Sequence, residues 1–150
     1  MIKNEKLYRI TRHHADQFAE AIRVLEAGQD TDPRIGPIIS PRLRRAEIDG
    51  MKSVLEGLQA EMKEYEALKA GTVRAFALAS LDELPLTLIK ARIAAGLTQK
   101  ELAARMGLKE QQIQRYEAND YASANFERLR EIANAIGVRL SALSLEIAAR

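Results

Sequence analysis

The window TQKELAARMGLKEQQIQRYE, residues 98–117, limits the fold more than any other part of this 150-residue chain. Thr98 and Glu101 have the spacing of a capping box, so a helix starts at about Gln99. Gly107 stands where the backbone can turn left-handed, a conformation that a β-carbon resists. A second helix follows directly, over 109–117, with Ile113 and Tyr116 turned inward. Leu102 and Met106 share a face of the first helix, and Ala103 is small enough for a close crossing. A turn this short sends the second helix steeply across the first. With Ile113 and Tyr116 inward, a rotation of about 100° per residue puts Gln111 and Arg115 on the outer face, beside Gln114. Gln and Arg can make paired hydrogen bonds to adenine and guanine edges in a major groove.

The flanking sequence is also helical. Ser80 and Glu83 form another capping-box pattern. Leu129, Ile132, Ala133 and Ile136 make an inner stripe over 124–136. The stretch IKARIAAGLTQKELAARMGL, then QQIQRYE, then FERLREIANAIGV resembles the phage-repressor/Cro-type (XRE) helix-turn-helix family over residues 84–138. The resemblance implies five helices, near 85–95, 99–106, 109–117, 124–136 and 141–148. It implies that Glu110, Gln111, Gln114 and Arg115 face base edges. Gln99 would grip a phosphate and brace the reading helix. Asn119, Tyr121, Ser123 and Asn125, in the loop after that helix, would touch the DNA backbone with Lys100 and Lys109. Arg92 and Glu117 would form a partly buried structural ion pair. Two departures from the family pattern stand out. Leu108 and Lys109 occupy the place of the usual Ser or Thr cap, and an acid, Glu110, leads the reading helix. That acid suits the helix dipole and repels phosphate, but it can accept from cytosine N4.

Residues 1–80 follow a different pattern. Thr11 can cap a helix whose stripe is Ala15, Phe18, Ala19, Ile22 and Leu25, stopped by Gly28. Residues 28–40 hold two of the four prolines and read as a connection. Ser40 and Pro41 then suit the start of a long helix ended by Gly71. Along it Ile48, Met51, Leu55, Leu58, Met62 and Tyr65 are spaced 3, 4, 3, 4, 3, an a/d seam of about two and a half heptads. The seam can close on the first helix or on its own copy. A homodimer is the favoured expectation, since Gly50 and Gly57 weaken the helix and a short first helix covers it only in part. Residues 72–79 lean towards extended backbone.

Composition narrows the function. With no cysteine, disulfides, thiolate metal sites and cysteine nucleophiles are excluded. Aromatics are 5% with no Trp, so the core is aliphatic. No apolar run approaches the ~20 residues of a membrane span, and the first residues, with Lys3, Glu5 and Lys6, do not read as a signal peptide. These features point to the cytoplasm. Net charge is +2, and residues 81–150 carry 10 Lys and Arg against 9 Asp and Glu, so DNA affinity must rest on a few placed cations. Arg42, Arg44 and Arg45 read as a solvated helix start or a backbone contact. His13 and His14 point about 100° apart on a helix, with no third ligand beside them; no metal and no cofactor is expected. No phosphate loop, nucleophile elbow or carboxylate pair is present, so an enzyme is not expected.

The chain thus reads as all-α, with a helical dimerisation or partner-binding region over 1–80 and a repressor-like helix-turn-helix domain over 81–150. The expected function is a sequence-specific dimeric repressor bound to a double-stranded operator. The extra N-terminal helices also resemble those of antitoxins, which hold a toxin protein. The competing reading is a protein-interaction module that has kept the fold and lost DNA binding.

Overall fold

The computed structural model describes residues 1–28, 31–32, 36–37 and 40–139. They form six α-helices: α1 (Glu5–Glu26), α2 (Pro41–Lys69), α3 (Leu84–Ala94), α4 (Gln99–Arg105), α5 (Glu110–Ala118) and α6 (Phe126–Ile136). A 3₁₀ turn, Leu81–Glu83, leads into α3. Between α1 and α2 a two-residue antiparallel pairing sets Thr31 opposite Pro37 and Asp32 opposite Gly36. The fold class is all-α. The helix expected over 141–148 lies outside the described residues. Two compact units part at 67/68, near the end of α2, whereas the sequence pattern divides at 80.

In the first unit α1 starts two turns earlier than expected. Asn4, not Thr11, is its cap: the Asn4 side chain accepts from the Leu7 amide at 2.9 Å, leaving Thr11 inside the helix. Ala15 and Ile22 are buried, and Phe18 and Leu25 are half-buried, while Ala19 is exposed. Ser40 caps α2 as expected, its hydroxyl accepting from Leu43 at 3.3 Å. The two helices pair as an antiparallel hairpin. Tyr8 stacks on Tyr65, ring centroids 5.3 Å apart, and donates to Glu66; Tyr65 donates to Glu5 at 3.5 Å. The Met1 ammonium meets Glu61 at 3.0 Å, and Lys52 meets Glu26 at 2.7 Å. Of the seam, Tyr65 is buried and Ile48, Met51, Leu55, Leu58 and Met62 are half-buried. The Lys52–Glu26 pair marks where α1 ends along α2. The first three turns of α2, with Ile48, Met51 and the exposed Leu43, continue past it.

In the second unit residues 72–79 have no regular structure. The Ser80 pattern opens the 3₁₀ turn rather than a full helix: Glu83 accepts from the Ala79 amide at 2.9 Å, and Ser80 makes no side-chain cap. From there α3 packs on α6, α4 on α5, and α4 on α6. Leu88, Ile89, Leu102, Ala103, Ile113 and Ile132 are buried between them. This aliphatic core, wrapped by short helices, fixes α5 with one face free.

Candidate nucleic-acid interface

The turn before α5 is built from its own backbone. The Leu108 amide donates to the Ala103 carbonyl at 2.9 Å and the Gly107 amide to Ala104 at 3.2 Å. This double closure needs a left-handed residue between them, and Gly107 supplies it with φ +65°. Ala103, 1% exposed, lets the helices meet there. Upstream, the capping box forms: the Glu101 amide donates to Thr98 Oγ1 at 3.1 Å and the Thr98 amide to Glu101 at 2.8 Å. The Thr98 amide first, and then the Thr98 hydroxyl, which donates to the same carboxylate oxygen at 2.7 Å, hold the Glu101 carboxyl below its ordinary pKa. The missing Ser or Thr cap of α5 is half replaced. Gln112 Oε1 accepts from the Lys109 amide at 3.0 Å, the returning half of a capping box. Sequence reasoning missed Gln112, although its position three residues after the cap was the available signal.

Glu117 anchors the free-faced helix from beneath. It is 0% exposed and receives donors from three other elements. Arg92 of α3 reaches it through Nε at 2.6 Å and Nη2 at 2.7 Å, while Nη1 donates to the Leu97 carbonyl at 2.6 Å. Gln99 of α4 donates at 2.9 Å, and Tyr121 of the following loop at 3.4 Å. Arg92 is 3% exposed, so the pair expected to be partly buried is fully enclosed. A charge pair out of water needs its remaining lone pairs satisfied, and here Gln99 and Tyr121 do this.

This network takes in two of the expected backbone contacts, Gln99 in the bracing part of its expected role and Tyr121 away from the surface. Gln99 is 8% exposed, and its amide turns inward to Glu117, so its side chain serves the brace. Tyr121 is 1% exposed and does not offer its hydroxyl to a phosphate. Asp120 and Tyr121 both take positive φ, 52° and 58°, which swings the ring inward onto Tyr116, centroids 6.1 Å apart. Burial first, and then the Glu117 charge, push the Tyr121 phenol well above its ordinary pKa. Asn119 and Asn125 also have local work. In the orientation that satisfies both ends of its amide, Asn119 donates to the carbonyls of Tyr116 at 2.8 Å and Arg115 at 3.2 Å, closing α5. Asn125 accepts from the Arg128 amide at 2.9 Å, opening α6. Ser123, Lys100 and Lys109 are exposed.

The outer face of α5 presents Glu110, Gln111, Gln114 and Arg115, all exposed, above the buried Ile113 and Glu117. Gln114 donates to Glu110 at 2.9 Å. The four residues expected to face bases therefore share one solvent-facing surface on a clamped helix. Residues 88–143, about a third of the chain, match the model of the helix-turn-helix family. This segment is a phage-repressor/Cro-type helix-turn-helix domain. At that level the protein is a DNA-binding regulator of transcription. Comparison with curated proteins and with solved structures gives no significant match. Among the described residues no helix is long and apolar enough to cross a membrane.

Proposed function

We propose that the protein is a sequence-specific repressor that docks on its operator as a two-fold dimer in the cytoplasm. The observation that carries this reading is the joint exposure of Gln111 and Arg115 on a helix clamped from beneath through Glu117. In a duplex α5 lies in the major groove, with Gln111, Gln114 and Arg115 against base edges and Lys100, Lys109 and Ser123 against phosphates. Docking occludes the promoter, and no chemistry is done. Arg115→Ala should lose about 1–3 kcal/mol of operator binding and relax preference at one base position. Titration of a selected operator checks it. Unchanged affinity would mean that α5 does not enter the groove in this orientation.

Domains of this kind bind specifically as pairs on half-sites about one helical turn apart. The dimer rests on the N-terminal unit. Its seam is only half-buried from Ile48 to Met62, and Leu43 and Val54 of α2 are 56% and 47% exposed. Sedimentation of the full chain should return the dimer mass, and Leu55→Asp the monomer mass with the C-terminal helices retained by circular dichroism. A monomeric wild type at high concentration would remove the dimer.

An antitoxin role fits the separate compactness of the first unit. There the α1–α2 hairpin takes a toxin, with Leu7 and Ile10 of α1 exposed for it, while the domain represses the shared operon. Co-purification with the product of an adjacent reading frame tests this role.

A further inference from the structure

The acid at the head of the reading helix is an unexpected residue for a surface that meets a polyanion. Glu110 opens α5, and Gln114 lies one turn on. Gln114 Nε2 donates to Glu110 Oε1 at 2.9 Å, and both side chains are exposed. That bond uses one N–H of the amide and one oxygen of the carboxylate. The second carboxylate oxygen, the amide oxygen and the other N–H are left for a ligand by this bond, on two exposed side chains. The pair thus offers acceptors in excess, in a fixed relative orientation, and the carboxylate offers no donor at all.

We propose that Glu110, held by Gln114, is a specificity-determining residue that demands an exocyclic amine on the base it meets. The inference rests on the operator-binding reading above. In the major groove cytosine presents N4–H₂ and adenine N6–H₂, whereas guanine and thymine present acceptors at N7, O6 and O4. A carboxylate facing one of those acceptors in a dehydrated groove has no partner and is penalised. Phosphate repels it as well, so the N-terminal end of α5 must sit over bases rather than over the backbone. Arg115 is displaced from the Glu110–Gln114 stripe by roughly 100° or a little more, on the Gln111 side, at about 100° per residue. The helix therefore has an acceptor side and a donor side, which select an amine base and a guanine in the same half-site.

Sites selected from a randomised duplex pool by the full-length protein and by Glu110→Gln test this. Gln is nearly isosteric and can donate, and the position is exposed, so the fold is kept. The wild type should select cytosine or adenine at one position of each half-site and disfavour guanine and thymine there by about tenfold. Whether that base is cytosine or adenine shows which amine is read. Glu110→Gln should admit guanine or thymine at that position alone and leave the others unchanged. Glu110→Ala should lose the preference too. Identical base frequencies for wild type and both variants would overturn the role of Glu110 while leaving operator binding intact. A wild type that enriches no sequence would overturn the operator-binding reading itself.

Discussion

Arg92→Ala is expected to cost about 3–5 kcal/mol of the stability of the C-terminal unit, enough to leave it marginal or unfolded. The reason is not the loss of an attraction alone. Removal of the guanidinium leaves Glu117, 0% exposed, with a buried carboxylate that has lost its charged partner and keeps neutral donors such as Gln99 at 2.9 Å and Tyr121 at 3.4 Å. It also strips the Leu97 carbonyl of its Arg92 donor. The loop between α3 and α4 and the seating of α5 then fail together, since the same residue holds both. Urea denaturation followed by circular dichroism measures the effect as a shift of midpoint at constant slope. A double replacement, Arg92→Met with Glu117→Leu, separates charge from packing. It should recover part of the loss, because two apolar groups need no partners, but not all of it, because Gln99 and Tyr121 would lose their acceptor. A single variant whose midpoint shift, multiplied by the slope, amounts to less than about 1 kcal/mol would show that the pair is not the clamp described.

Local chemistry made the core of this site legible. The Thr98–Glu101 box, Gly107 and the inward Ile113 are neighbours in sequence, so the turn and the outward face of α5 follow from spacing. Three features did not follow. Asn4 and Thr11 are chemically equivalent caps, and the choice depends on whether the helix can extend back through Tyr8 to meet Tyr65, which is distant in sequence. Tyr121 stands in a polar loop and so reads as surface. Only the consecutive positive φ angles of Asp120 and Tyr121, uncommon for residues with a β-carbon, turn it inward. The α2 seam repeats every 3 and 4 residues whether it meets α1 or a second copy. Periodicity shows that a face is buried and says nothing of what covers it. The Tyr8–Tyr65 stack shows α1 at one end, and the other end remains a matter for the dimer proposal.

Operator affinity should fall roughly 150-fold between 50 and 200 mM salt, and this fall counts protomers as well as phosphates. Lys100 and Lys109 are exposed, and the operator-binding proposal assigns both to the DNA backbone and Arg115 to a base. Other arginines nearby are engaged: Arg105 donates to the Ala135 carbonyl at 3.0 Å, Arg128 pairs with Glu131 at 2.6 Å and Arg130 with Glu127 at 3.4 Å. Two phosphate contacts per protomer give a log–log slope of roughly −1.8 for one protomer and −3.6 for a dimer. The corresponding losses are about 12-fold and 150-fold, so fluorescence anisotropy over that range distinguishes them. Lys100→Ala should flatten the dimer slope by about 1.8, while Arg115→Ala lowers affinity and leaves the slope in place. A slope steeper than predicted would bring in Arg42 or Arg45 at the start of α2, and their replacement should restore it. A slope near zero with no preferred sequence would favour the protein-interaction reading, for which the acid at 110 and the near-neutral C-terminal half are the supporting features.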